Sequence, residues 1–188
     1  MWSSDESDDL FDDVKSSNKR GRRGVNGGDA KTPKAFDIPA LKRKAVELLA
    51  RREYSFHELE TKLLPLAESE DDAYAALEWL VQQGLQSDER FCEMYLRSKA
   101  LSGYGPVRIR MELKQKGINQ NLIEQTFEEQ DVNWWQELER LTAKKLQGCD
   151  AGDLKAKQKC MGFLQRRGFT LDQIYRAMDH FFRDSACD

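Results

Sequence analysis

Basic side chains carry the clearest chemical signal in this 188-residue sequence. Between residues 97 and 116 stand six bases, Arg97, Lys99, Arg108, Arg110, Lys114 and Lys116, against a single acid, Glu112. Residues 155–167 add Lys155, Lys157, Lys159, Arg166 and Arg167 with no acid at all. Positive charge concentrated in this way suits faces aimed at an anionic partner, whether an acidic protein surface or DNA phosphate. The same residues have a plainer reading as solvated helix faces. Lys116 and Arg167, each beside a glycine, would complement the negative end of a helix dipole. Arg108 and Arg110 fit that reading less well, because they follow a helix start, where cations are disfavoured. Tyr104, between two glycines, is either an exposed anchor of the kind interfaces favour or a ring folded back on the preceding helix.

Other chemistry finds little support. The chain has two histidines, His57 and His180, and a Ser–His pair at Ser55 and His57 lacks a third orienting group. Cys149 and Cys160 have neither a CxxC partner nor a nearby histidine, so the spacing does not suit zinc. Gly103-Tyr104-Gly105 is too short for a phosphate loop, and the acidic run from Glu68 to Asp72 lacks EF-hand spacing. Trp134 and Trp135 could stack on bases, but Leu138 and Leu141 follow at helical spacing and favour packing. The residues point to a non-enzyme with no cofactor, no metal and no small-molecule substrate.

Composition narrows the class. Charged residues make up 34% of the chain and hydrophobic ones 39%, with a mean hydropathy of −0.75, so the core is lean. Thirty bases against 33 acids leave no global positive charge to advertise nucleic acid. No apolar run approaches the ~18 residues of a membrane span, and the first residues lack the pattern of a signal peptide. Cys92, Cys149, Cys160 and Cys187 are scattered, which suits a reducing, cytoplasmic setting better than a disulfide framework. Charge is segregated along the chain. Residues 1–13 hold six acids and no base, whereas residues 14–39 hold seven bases against Asp29 and Asp37. Few large apolar side chains accompany them, so residues 1–39 read as a disordered charged arm. Its cluster Lys19-Arg20-Gly21-Arg22-Arg23 reads as a solvated tail, with phosphate contact or a nuclear address as the sharper alternatives.

From Pro39 onward the pattern is helical. Leu41, Ala45, Leu48 and Leu49 recur at i, i+4, i+7, i+8, as do Ala73, Leu77, Leu80, Val81 and Ala156, Cys160, Phe163, Leu164. Leu171, Ile174, Tyr175 and Met178 follow i, i+3, i+4, i+7. Ser55-Phe56-His57-Glu58 and Thr170-Leu171-Asp172-Gln173 read as capping boxes. Pro106 suits a first helical position, and Asp88 and Asn133 read as the starts of two more helices. Period-two alternation is missing, so the fold class is all-α.

The chain also resembles itself. Residues 112–127 align with 163–178 at an offset of 51, pairing Leu113 with Leu164, Lys116 with Arg167, Gly117 with Gly168 and Ile123 with Ile174. In each copy a basic turn precedes a glycine suited to the left-handed position after a helix, and Ile118 or Phe169 forms a hydrophobic staple with Ile123 or Ile174. A looser copy upstream matches Glu58-Leu59 and Lys62 to Glu112-Leu113 and Lys116, followed after the acidic run by the helix holding Leu77. A further helix prefixes each copy, near 41–53, 89–101 and 134–147. The spacing therefore predicts three tandem three-helix repeats, over residues 40–87, 88–132 and 133–188. Units this small need neighbours to close their cores, which predicts an elongated, curved array offering a long contact surface.

These motifs bring a family into view. Arg52-Glu53-Tyr54-Ser55-Phe56-His57-Glu58-Leu59 resembles the first signature of the RecX regulatory proteins. Asp88-Glu89-Arg90-Phe91, Gly103-Tyr104-Gly105-Pro106-Val107-Arg108-Ile109, Glu112-Leu113 and Lys116-Gly117-Ile118 are similar to their central block. Phe163-Leu164-Gln165-Arg166-Arg167-Gly168-Phe169 with Ile174 is similar to their closing motif. The resemblance spans roughly residues 40–183 and implies tandem three-helix repeats in a bacterial cytoplasmic protein. It implies partners too: RecA protein and the RecA–single-stranded DNA filament, with ATPase, strand exchange and coprotease activity suppressed in DNA repair and the SOS response. The basic residues and Tyr104 are then the expected contacts. A weak DNA contact accompanies this reading, and direct DNA binding of helix-turn-helix type is the alternative.

Overall fold

A computed structural model describes residues 35–150 and 152–184. Among these residues the fold is all-α: α1 (Ile38–Leu49), α2 (Phe56–Leu63), α3 (Glu70–Gln82), α4 (Asp88–Leu101), α5 (Pro106–Gln115), α6 (Gln120–Glu129), α7 (Trp134–Leu146), α8 (Leu154–Arg167) and α9 (Leu171–Asp184), with a 3₁₀ turn at Leu64–Leu66. No helix among the described residues is long and apolar enough to cross a membrane. The arm assigned to residues 1–39, with its Lys19–Arg23 cluster, lies outside the described residues as far as position 34, and so does Cys187. Its last residues are structured. Phe36 makes an isolated bridge with Ala67, and α1 begins at Ile38 behind an Asp37 cap, so the last positions of the segment assigned to the arm belong to the fold.

The closest helix pairings fall within three triads, α1–α3, α4–α6 and α7–α9. Each triad buries its own apolar set. Leu41, Ala45, Leu59, Leu63, Leu77 and Leu80 form the core of the first. Phe91, Leu96, Ile109, Leu113 and Ile123 are fully buried in the second, and Leu138, Leu141, Cys160, Leu164, Phe169, Ile174 and Met178 pack in the third. Each full burial of such a side chain stabilises by about 1.5–3 kcal/mol. Three periodic positions turn outward instead: Val81 is 47% exposed, Leu171 is 45% exposed and Tyr175 is 51% exposed. On α9 the buried stripe runs through Ile174, Ala177 and Met178, leaving Tyr175 on the flank.

Local signals set most boundaries. Ser55 caps α2 in a reciprocal box, its hydroxyl accepting from the Glu58 N–H and the Glu58 carboxylate accepting from the Ser55 N–H. Thr170 and Gln173 exchange the same pair of bonds at the start of α9. Asn133 caps α7. At α4 the cap is Ser87, not Asp88, because the Asp88 carboxylate is engaged elsewhere: it accepts from the Phe56 N–H at 2.8 Å and so supports the start of α2. The acidic run is the first turn of α3, where Ser69 caps and Glu70, Asp71 and Asp72 face the positive end of the dipole. The looser upstream copy is displaced by one helical turn. Counted from the caps, Leu59 and Leu63 of α2 correspond to Ile109 and Leu113 of α5, and all four are fully buried.

The triads are joined by one contact used twice. Gly117 and Gly168 adopt positive φ, +80° and +93°, and close Schellman-type turns through Ile118 N–H to Leu113 O and Phe169 N–H to Leu164 O. Each turn then abuts the first turn of the middle helix in the preceding triad. A Cβ on Gly117 would stand 2.5 Å from Cβ of His57, and one on Gly168 would stand 2.4 Å from Cβ of Arg108. The carbonyls at these helix ends find donors there. Lys116 O accepts from the Ser55 hydroxyl at 2.7 Å, Arg167 O from the Gly105 N–H at 2.6 Å, and Gly168 O from the Val107 N–H at 3.2 Å. At the second joint the orphan carbonyls of one helix thus meet N–H groups at the start of another, at the first a capping hydroxyl takes that part, and at both opposite partial charges face. In the first triad the position 51 residues before Gly117 is Leu66, whose carbonyl accepts from the Phe36 N–H at 2.7 Å.

Substituting Gly168 by alanine should therefore destabilise the protein by about 3 kcal/mol, combining the left-handed backbone cost with overpacking. Thermal melting should show a Tm lower by roughly 6–12 °C. Gly84→Ala, also at positive φ but with open space around it, should lose no more than about a third of that. Equal losses at the two sites would remove the steric joint as the cause.

Candidate functional site

The basic residues divide into two populations. Five cations lie along the seam between the triads, in one connected chain of contacts. Arg52 Nη1 and Lys116 Nζ donate to the Glu58 carboxylate at 3.2 and 2.7 Å. Lys116 also lies 5.2 Å from the centre of the Tyr95 ring, and the Tyr95 hydroxyl donates to Glu112 at 2.7 Å. Glu112 accepts from Arg108 Nε at 2.7 Å and lies 3.9 Å from Lys99 Nζ. Lys99, Arg108 and Arg167 all approach the ring of Tyr104, at 4.8, 4.3 and 4.6 Å from its centre, close enough for cation–π attraction. Arg167 Nη1 further donates to Ser102 O at 2.8 Å.

The seam settles several open readings. Tyr104 is 5% exposed and Lys99 is 6% exposed, so the tyrosine folds back into the protein instead of standing out as an anchor. Arg108 near its helix start is explained by tertiary contact. Its guanidinium donates to Arg166 O at 3.1 Å, placing it against the negative end of α8 while Glu112, one turn along, balances its charge. Arg52, Tyr95 and Glu58 belong to this chain, although composition did not single them out. The 51-residue offset was the available signal, since it sets Lys116 and Arg167 at equivalent joints.

The remaining cations lie outside the seam. Arg110 Nε donates to Glu124, and its guanidinium lies 3.8 Å from the centre of Phe127. Arg97 Nη2 donates to Gln130 at 3.0 Å, and Lys157 lies 4.7 Å from the Phe182 ring. Lys114, Lys155, Lys159 and Arg166 are exposed. Sequence reasoning missed the apolar partners of this surface. Val107 and Met111 are 53% and 52% exposed, and with Arg110 and Lys114 they follow i, i+3, i+4, i+7, which is one face of α5. Leu101 at the end of α4 is 75% exposed. Trp134 stacks on Phe127 with centroids 5.8 Å apart, and Trp135 meets His180 edge-on. Among the described residues no group of His, Cys, Asp or Glu is arranged to hold a metal. Burial pushes the Cys160 thiol up to about 11, so it stays protonated and unreactive at neutral pH.

Burial opposes ionisation of Glu58, but the hydrogen bonds from Lys116 and Arg52 outweigh it and hold its carboxyl below the ordinary value of 4.5. A carboxyl depressed in the folded state adds stability above its unfolded pKa, and that stability is lost as pH falls through the folded value. Urea unfolding across an acidic series should therefore show stability falling below pH 4.5, with Glu58→Gln flattening that limb. An unchanged acid limb in the variant would show that the seam carboxylate does not govern it.

Comparison with known proteins agrees with this architecture. Residues 87–126 match the family model for the RecX second three-helix domain, and residues 131–178 match that for the RecX third three-helix domain. The chain is 40% identical over 147 residues to the regulatory protein RecX of Pseudomonas savastanoi pv. phaseolicola, covering 78% of this chain and 95% of that protein. It is 38% identical to that of Pseudomonas syringae pv. tomato, with the same coverage. The crystal structure of RecX from Lactobacillus salivarius superposes with a TM-score of 0.65 at 25% identity, covering 77% of this chain and 96% of that one. Matched by family models over two of its triads and by these relatives over most of its length, the chain belongs to the RecX family of regulatory proteins.

Proposed function

We propose that this protein is a non-enzymatic cytoplasmic inhibitor of the RecA recombinase. It binds the RecA–single-stranded DNA filament and suppresses ATPase, strand exchange and coprotease activity in DNA repair and the SOS response. Each triad acts as one domain, over residues 40–87, 88–132 and 133–188. The observation that carries the reading is the outer face of α5, where Val107 and Met111 stand more than half exposed between Arg110 and Lys114. Exposed apolar side chains rimmed by charge suit a protein partner with an acidic rim. The seam ties this face to the other two triads, so that one bound chain can restrain more than one protomer of a filament and slow its turnover.

The test uses preformed RecA filaments on single-stranded DNA, with ATP hydrolysis followed as the protein is added and binding to naked DNA measured beside it. Inhibition below one chain per protomer, without tight DNA binding, supports the proposal. Met111→Asp with Lys114→Glu changes two exposed positions and should leave the helical signal and Tm intact. It should raise the half-inhibitory concentration by about tenfold or more, the loss of roughly 1.4 kcal/mol expected from a central pair of contacts. Inhibition undiminished in that variant would remove the α5 face. Nanomolar DNA affinity with no effect on the filament would favour direct DNA binding instead.

A further inference from the structure

Where α3 ends and α4 begins, beside the start of α2, the surface opens into a cleft of about 630 Å³, within the size range of ligand sites. Its lining is rich in acceptors and poor in donors. Glu78 stands on the C-terminal half of α3, Asp88 and Glu89 on the first turn of α4, and Gln86 between the helices. Phe56 and Val81 supply apolar wall. Arg90 is the one cation of the lining, and it is engaged: Nε donates to Glu53 at 3.1 Å and Nη2 to Leu85 O at 3.0 Å.

The deepest of these acceptors belongs to Gln86, which is 5% exposed. Its Nε2 donates inward, to Tyr54 O at 3.3 Å and Asp88 Oδ1 at 2.8 Å. Among the described residues nothing donates to its Oε1, and the side chain lines the cleft, so that oxygen is left for a donor from outside. Asp88 Oδ1 also accepts from the Phe56 N–H, while its second oxygen has no partner among the described residues. Glu89 accepts from the Ser87 hydroxyl at 2.6 Å, a bond that holds its carboxyl below the ordinary value of 4.5 and keeps it ionised at neutral pH. Asp88 and Glu89 suit the positive end of α4 by themselves, but Glu78 and the Gln86 oxygen have no such role. Buried acceptors without donors are costly. The setting is acidic as well, since residues 38–86 carry six bases against nine acids.

We propose that this cleft receives an arginine side chain from a segment of a partner protein. A guanidinium carries five donors in a planar fork, which suits acceptors arriving from α3, from α4 and from the turn between them. Its weakly hydrated faces suit the wall of Phe56 and Val81, whereas an ammonium would lose more hydration there. The rest of the segment meets Val81 and Leu85, 47% and 40% exposed, apolar contacts that a free small cation would leave unused. The polarity is opposite to that of the α5 face, whose exposed cations call for acids.

The inference does not rest on the recombinase reading, because its test needs only the full chain and peptides. The probe is a fluorescein-labelled hexapeptide, Gly-Leu-Arg-Arg-Leu-Gly, followed by anisotropy beside versions with lysine or glutamate in place of both arginines. The arginine peptide should bind saturably and severalfold tighter than the lysine one, and the glutamate one should not bind. Glu78→Gln with Glu89→Gln should weaken binding by about tenfold, the order expected when charge-assisted contacts are lost. Glu70→Gln with Asp71→Asn removes equal charge outside the cleft and should stay within about twofold, since distant charges act only through a screened field. Val81→Lys supplies a second readout. It places a cation among the acceptors and a pair with Glu78 at i, i+3, so Tm holds or rises while peptide binding is abolished. Equal losses in the two charge variants would overturn the proposal, as would undiminished binding in Val81→Lys or no binding of the arginine peptide to the parent. Spermidine displacing the peptide at the peptide's own concentration would also overturn it, by assigning the cleft to a free polyamine.

Discussion

The architecture depends on the seating of a glycine-ended helix turn against the first turn of another helix. Two such seats, Gly117 on His57 and Gly168 on Arg108, are closer than any side chain would allow. Their closeness lets the last carbonyls of α5 and α8 reach donors at the starts of α2 and α5. Helix ends leave unpaired backbone groups that are costly to bury. Joining an end to a start satisfies carbonyls at both joints, pairs them with backbone N–H groups at the second, and brings opposite partial charges together. The triads, each too small to bury much surface, are thereby held in series by backbone chemistry as well as by apolar contact.

That seating also explains why so many charged and aromatic groups gather along the seam. A helix C-terminus attracts cations, and Lys116 and Arg167 stand at the two that are docked. Glu58 balances Lys116, and Glu112 balances Arg108 and Lys99, since a half-buried cation without a carboxylate would be expensive. Tyr95 and Tyr104 supply hydroxyl and ring faces that complete the pairing. Part of the chain's conspicuous basic character therefore belongs to its assembly. What remains for partners is the outer surface, where α5 offers methionine and valine among cations and the cleft between α3 and α4 offers acceptors beside an apolar wall. One repeated scaffold thus presents two chemically distinct surfaces.

Much of this was legible in the chain. Apolar spacing, the Ser55 and Thr170 boxes, Pro106 at a helix start and the glycines at 117 and 168 are local signals, and the helices follow them. The repeat was visible because equivalent turns need equivalent residues. The errors also had local causes. Asp88 looks like a cap, but its carboxylate serves another helix. Val81, Leu171 and Tyr175 fit the apolar period yet lie beyond the stripe that a small triad can cover. The upstream copy slipped by one turn because Glu-Leu occurs at two depths in the repeat.

The sequence by itself determined the helices, their caps and the threefold recurrence, since these arise from interactions spanning a few residues. Only the tertiary structure decided which cations are structural and which are presented to solvent. Lys99 and Lys114 are the same residue type, and both lie in the same basic segment. One is buried beside Glu112 and Tyr104 and the other faces outward. That difference is fixed by where the following triad's glycine turn comes to rest, a contact between residues 50 or more positions apart that no local pattern can encode.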